Sequence, residues 1–263
     1  MNTLDLLKPV PGLRVLISGA ASGIGAAMAD AFLHAQAQVF VCDVDPAAVE
    51  RAKAEQPALH ARVADVAQPE QGDRGFDDVR RELGGLDILV NNAGIAGPTG
   101  AVEDLDAELW RRTIATNLDS QFYFLRRAVP LLKETSACAG IIAMSSVAGR
   151  LGYAFRTPYA ATKWAIVGLV KSLAIELGPD DIRVNAILPG VVEGERMSRV
   201  IAARADALGI PFDAMRDEYL KKISLRRMVT VDDVAALALF LASPAGRNIS
   251  GQAISVDGNV EYL

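Results

Sequence analysis

Cysteine and histidine are nearly absent: Cys42, Cys138, His34 and His60 are all that 263 residues contain. Two thiols cannot build a disulfide framework, and two imidazoles without cysteines at ligand spacing exclude the common zinc sites, so no metal is expected. Both cysteines read as core residues, because a free thiol behaves as a small apolar group. An excess of positive charge is also missing. A net charge of −5 gives no general attraction for phosphodiesters, no local basic patch replaces it, and nucleic acid is not an expected partner. A membrane is not expected either, since apolar stretches such as residues 234–242 fall well short of the roughly 20 residues that cross a bilayer. Residues 1–12 include Asp5 and lack the apolar centre and small-residue cleavage site of a secretory signal, which points to the cytoplasm.

What is present is an ordinary globular composition, 51% hydrophobic and 22% charged, at a length that one α/β domain can fill. Short apolar runs alternate with longer amphipathic ones. Strands are expected at 13–18, 38–43, 59–65, 86–91, 140–145, 182–188 and 252–256, with a helix at 23–35 after the first. The run 87–91 is apolar without alternation, as parallel strands covered on both faces require. The expected fold is a Rossmann-type, doubly wound sheet of about seven parallel strands with helices on both faces. No repeat, low-complexity tract or linker divides residues 1–263, so a single domain follows. Helical stretches at 107–134 and 158–177 carry broad apolar faces, the first widened by Phe122, Tyr123 and Phe124. Such faces suit either a subunit contact or packing on the sheet, and periodicity does not separate the two. The polar helical segment 192–227 lies between the sixth strand and the last helix, where an insertion can act as a lid.

The turn after the first strand reads Ser18-Gly-Ala-Ala-Ser-Gly-Ile-Gly25. Glycines let a phosphate approach the backbone, and the following helix N-terminus favours an anion, which makes Gly19, Ser22, Gly23, Ile24 and Gly25 candidate cofactor contacts. The spacing differs from Gly-x-Gly-x-x-Gly, and a tight turn alone would also use glycines. Asp43, at the end of the second strand, adds context. A carboxylate there accepts hydrogen bonds from an adenosine ribose and repels a 2′-phosphate, so NAD is favoured over NADP; the alternative is a solvated turn acid.

Tyr159 and Lys163 stand four residues apart on one helical face, where an ammonium lowers a phenol from its usual value of about 10 towards neutrality. Ser146 lies at the end of an expected strand, and Asn117 lies within the preceding long helix. Together with the glycine turn, Asp65-Val66, Asn91-Asn92-Ala93-Gly94 and Pro189-Gly190, these residues resemble the short-chain dehydrogenase/reductase family, classical type, in order and spacing from Gly12 to Gly258.

The resemblance implies that Tyr159 is the general acid/base, that Ser146 polarises the substrate oxygen, and that Lys163 binds ribose and tunes Tyr159. Asn117 would hold a relay water. Asp65 and Val66 would flank adenine, with Asn91, Ala93 and Gly94 on the adenosine side and Pro189, Gly190 and Val192 also against the cofactor. It implies a homo-oligomer, either dimer or homotetramer. Three departures stand out: Ser18 where the family usually has Thr, Gly194 where it often has Thr, and Gly258-Asn259 where it has Gly-Gly. The expected reaction is reversible hydride transfer between NAD and a secondary alcohol or its ketone. A non-enzymatic NAD-binding regulator and an epimerase or dehalogenase are the alternatives, and the intact catalytic set argues against the first. Segment 192–227 carries eight Lys or Arg against six Asp or Glu, and Arg150, Tyr153 and Arg156 lie nearby in sequence. With Ser146, the residues Arg150, Tyr153, Arg156, Arg196 and Arg199 are therefore candidates for a small polar substrate such as a sugar, polyol or hydroxy acid; the alternative for the charges is a solvated face.

Overall fold

Seven strands linked by helices make up the computed structural model of this chain, which describes residues 2–262 apart from the side chains of Arg196, Ala203 and Ala207. After a short α1 (Thr3–Leu6), the order is β1 (Arg14–Ser18), α2 (Gly23–His34), β2 (Gln38–Asp43), α3 (Pro46–Glu55), β3 (His60–Val63), α4 (Pro69–Leu83) and β4 (Ile88–Asn91). The second half runs α5 (Ala107–Ile114), α6 (Ser120–Thr135), β5 (Gly140–Met144), α7 (Thr157–Leu177), β6 (Arg183–Pro189), α8 (Glu195–Leu208), α9 (Phe212–Lys221), α10 (Val231–Ala242) and β7 (Ala253–Val256). All pairings are parallel, in the order β3-β2-β1-β4-β5-β6-β7. The chain winds outward from β1, then crosses back to start β4 on its other side. The order therefore reverses between β1 and β4, and the crevice beyond their C-terminal ends is where such sheets bind ligands.

Alternate residues of β1 feed two cores. Leu16 joins Phe76 and Val79 of α4, Leu125 of α6 and Ile166 and Val170 of α7. Val15 and Ile17 join Met28 and Phe32 of α2 and Val234, Ala238 and Leu241 of α10. A strand buried on both faces has no polar side to show, which explains the unalternating apolar runs. A third cluster lies under α8 and α9, where Ile201, Met215, Tyr219 and Ile223 pack on Val147 and Val191. The chain end joins it: Val260 is buried there and pairs with Ile223 in an isolated bridge.

Some boundaries move. β4 starts at Ile88, and the Asp87 carboxylate just before it is held by Arg14, whose backbone N, Nε and Nη2 donate to it at 2.9, 2.9 and 2.8 Å. Burial alone would push the Asp87 carboxyl up; the Arg14 hydrogen bonds and charge outweigh it and hold the group below the usual carboxylate range. β3 is one of the two edge strands and keeps only His60–Val63. The expected helix at 107–134 is continuous, but a π-helical turn at Ala115–Asp119 separates α5 from α6. Neither cysteine is in a disulfide; burial pushes the Cys42 thiol up to about 12 and leaves it inert, while Cys138 is half-buried. Among the described residues no helix is long and apolar enough to cross a membrane, and no group of three potential metal ligands occurs.

Candidate active site

The glycine turn sits at the C-terminal end of β1. Gly19 has φ +62° and packs so closely on Ala93 that an added Cβ would lie 2.8 Å from its Cα. At Gly25 an added Cβ would meet the Gly19 carbonyl at 2.4 Å. Neither position accepts a side chain without moving backbone, so the turn and the first coil of α2 are locked together. Ser18 and Asn92 bind this turn to the end of β4: Ser18 Oγ accepts from the Asn92 and Ala93 N–H groups, each at 3.1 Å, while Asn92 Nδ2 donates to the Ser18 and Gly19 carbonyls at 3.0 and 2.7 Å. The hydroxyl is what this position needs, which explains why Ser serves in place of Thr. Asn92 was not among the expected site residues; its place in Asn-Asn-Ala-Gly was the available signal.

Ser22 is extended and exposed, and it makes no side-chain capping bond to α2, whose first turn contains no acidic residue. Gly23 has φ +56° with open space where a side chain would project. The donor set is thus a glycine-lined helix N-terminus without a side-chain cap, which fits a dinucleotide pyrophosphate. Asp43 lies beside it at the end of β2; its Oδ2 accepts from the Ala21 N–H at 3.0 Å and its Oδ1 from the Asp45 N–H at 3.2 Å. Among the described residues Asp43 has no Lys or Arg ion-pair partner. Asp65 caps its own turn by accepting from the Ala67 N–H, and Val66 is buried in the core under α4. Asn91 exchanges hydrogen bonds with Gln121, Nδ2 to the Gln121 carbonyl and Gln121 Nε2 to the Asn91 carbonyl, both at 3.3 Å. Pro189 closes β6; Gly190 packs against Asp257, and Val192 bridges to Val229. Gly194 precedes α8 at φ +138°, a conformation that threonine does not adopt readily.

The ends of β4 and β5 meet α7 through one connected set of polar groups. Lys163 is 4% exposed, and its Nζ donates to the Met144 carbonyl at 2.8 Å, at the end of β5. The same Nζ lies 5.6 Å from the centroid of the Tyr159 ring. Asn117 Oδ1 accepts from the Ile95 N–H at 2.7 Å, and its Nδ2 reaches the Ile95 carbonyl at 3.0 Å and Thr162 Oγ1 at 3.3 Å. The π-turn carrying Asn117 adds a residue to the helical coil just where the side chain must face both the β4 loop and α7; such turns concentrate at functional positions. Gly94 sits among these groups, since an added Cβ would lie 3.3 Å from Asn117 Oδ1 and 3.6 Å from Lys163 Nζ. Its missing side chain keeps that space open.

Ser146 follows β5; its Oγ accepts from the Ala148 N–H at 3.2 Å and starts a helical turn at Val147–Gly149. That turn is pinned to α7, because an added Cβ on Gly149 would meet the Lys163 carbonyl at 2.6 Å. Ser146, Tyr159, Lys163 and Asn117 are thus borne by segments bonded to one another at a single edge of the sheet.

The candidate substrate residues do not form one group. Arg150 is paired with the buried Asp257 at 2.8 Å, Arg199 lies exposed on α8, and the side chain of Arg196 lies outside the described residues. Arg156 and Tyr153 remain beside Tyr159: the Arg156 guanidinium is 5.2 Å from the Tyr153 ring centroid and 5.3 Å from that of Tyr159. Burial pushes the Tyr153 phenol above its usual value, so it stays protonated.

A buried amine beside a phenol, at the edge where a glycine turn opens a doubly wound sheet, defines a nucleotide-dependent oxidoreductase. Comparison with known proteins agrees. A family model described as enoyl-(acyl carrier protein) reductase matches residues 19–260. The chain is 37% identical over 244 residues to galactitol 2-dehydrogenase of Agrobacterium fabrum, covering 92% of this chain and 95% of that one. It is 35% identical over 252 residues to D-beta-hydroxybutyrate dehydrogenase of Cupriavidus necator, covering 94% and 97%. Among solved structures, an actinorhodin polyketide ketoreductase variant with NADPH superposes at a TM-score of 0.90 with 28% identity, covering 96% of this chain and 98% of that one. The chain belongs to the short-chain dehydrogenase/reductase family and is an oxidoreductase of that type.

Proposed function

We propose that the protein transfers hydride between NAD and a secondary alcohol or its ketone, on a small polar substrate such as a sugar, polyol or hydroxy acid. A bound nicotinamide dinucleotide supplies the hydride acceptor. In the oxidative direction Tyr159 takes the proton from the substrate hydroxyl, and Ser146 Oγ donates to the substrate oxygen and fixes its place. Lys163, held by the Met144 carbonyl, places its ammonium beside the Tyr159 ring, where a positive charge favours the phenolate. Asn117 fixes the β4 loop through Ile95 and retains one Oδ1 lone pair for a relay water. The observation that carries this reading is the buried Lys163 amine anchored at 2.8 Å to the end of β5 and 5.6 Å from the Tyr159 ring.

NAD is favoured over NADP because Asp43 stands at the β2 end with no Lys or Arg ion-pair partner among the described residues, where it would face a 2′-phosphate unscreened. Titrating both cofactors should give NAD an advantage of at least about tenfold, or 1.4 kcal/mol, and Asp43→Ala should narrow it. Equal affinities in the unsubstituted protein would remove Asp43 from cofactor selection. Galactitol and hydroxybutyrate in the names of the two relatives support a small polyol or hydroxy acid as substrate. Helices α8 and α9 would close over it as a cap. Exposed Phe122 and Trp164, 59% and 51% accessible, support self-association through α6 and α7 as a dimer or tetramer.

A further inference from the structure

We propose that Arg156 is a positioning residue for the proton chemistry of Tyr159: its guanidinium, buried between the Tyr153 and Tyr159 rings, is a second fixed positive charge that acts with Lys163 to favour the tyrosinate. The proposal rests on the reading of Tyr159 as the proton carrier.

Arg156 immediately precedes α7. Phe155 before it takes φ +61°, a left-handed conformation rare for an aromatic residue, and its carbonyl accepts from the Gly100 N–H at 3.0 Å. The chain is thereby turned so that the Arg156 side chain lies inward, only 9% exposed. Arginine is seldom buried to that extent without an anion, because removing the charge from water is costly. Among the described residues the guanidinium makes one hydrogen bond, Nη2 to the Ala96 carbonyl at 2.8 Å, and its buried Nε has no partner. Among the described residues no Asp or Glu pairs with it, whereas Arg14 and Arg150 are paired with Asp87 and Asp257. Two aromatic faces hold it in place, with the guanidinium carbon 5.2 Å from the Tyr153 centroid and 5.3 Å from the Tyr159 centroid.

The charge therefore lies against the ring of a phenol that, on the proposed function, must lose and regain a proton, and among the described residues no carboxylate pairs with it. Lys163 Nζ is 5.6 Å from the same ring, Tyr153 is held protonated by burial, and Arg204 of the cap influences Tyr153 from beyond. Ser146 and Asn117 are uncharged, and Asp257 is engaged by Arg150. From α5 and the π-turn, which also pack on α7, come Glu108, Arg111 and Arg112 at the surface and the half-buried Asp119. A guanidinium stays charged across the accessible pH range, so its effect is constant where that of a lysine could titrate away. A cation within about 4–6 Å of an acidic group moves its titration by about one to three pH units; the guanidinium is 5.3 Å from the centre of the Tyr159 ring and water reaches this half-buried residue, so the expectation is the lower end, about one.

The test is an ultraviolet-difference titration of Tyr159, read as the unsubstituted protein minus Tyr159→Phe, and repeated in the Arg156→Gln background. Glutamine can still donate to the Ala96 carbonyl but carries no charge. The Tyr159 midpoint should rise by about one pH unit in Arg156→Gln, a tenfold loss of tyrosinate at a given pH, and Arg156→Lys should return it to within about half a unit. A midpoint unmoved by Arg156→Gln overturns the proposal. If thermal melting shows that Arg156→Gln fails to fold, Arg156→Lys decides, since a rise of a full unit with the charge retained contradicts an electrostatic role. The titration needs neither substrate nor cofactor. Failure of Tyr159 as proton carrier would instead appear as retained turnover in Tyr159→Phe.

Discussion

Tyr159→Phe is expected to lower turnover by about two to four orders of magnitude while leaving NAD affinity nearly unchanged. The substitution removes one hydroxyl and keeps the ring, so the surfaces facing Arg156 and Lys163, 5.3 and 5.6 Å from its centroid, remain. Fold and cofactor site should survive, and the loss should fall on kcat. Steady-state kinetics on a substrate found by NAD reduction, paired with a cofactor titration, separates the two quantities. A phenylalanine variant that kept most of its activity would assign the proton to another group.

Lys163→Met should harm both quantities. The amine is buried and donates to the Met144 carbonyl, and Gly94 leaves it open space on one side. Methionine preserves most of the stem but removes the charge and the donors, so on the proposed function Tyr159 should lose a neighbour that favours its phenolate and the cofactor a charge-assisted hydrogen bond. Such a bond contributes about 1.5–3 kcal/mol, which predicts NAD binding weaker by about tenfold or more and kcat/KM lower by about 100-fold or more. The two variants thus give different patterns, one affecting kcat alone and the other kcat and cofactor Kd together. Unimpaired NAD binding in Lys163→Met would remove the ribose role.

The sheet was legible because parallel strands covered on both faces need continuous apolar runs, and β1 does pack Leu16 to one side and Val15 and Ile17 to the other. The glycine turn and the Tyr159–Lys163 spacing were legible because each is local. What stayed hidden depends on partners distant in sequence. Nothing in the pattern around Arg150 announces Asp257, which lies 107 residues away, and nothing around Arg156 announces a place between two tyrosine rings. The π-turn at Asn117 was invisible because one added residue barely disturbs an apolar period across a long helix. The place of Val260 was equally hidden: it reads as an isolated apolar residue until Ile223 pairs with it and the cluster under α8 and α9 covers it.

The most direct measurement follows the hydrogen itself. Polyols, hydroxy acids and cyclic alcohols carrying deuterium at the carbinol carbon are incubated with the protein and NAD, and the label is traced by mass spectrometry. Direct hydride transfer to an acceptor that leaves predicts deuterium in the reduced cofactor and an unlabelled ketone, with none released to water. Deuterium that stays in an epimerised product, or washes into solvent, or an NAD pool that no alcohol reduces, would contradict it.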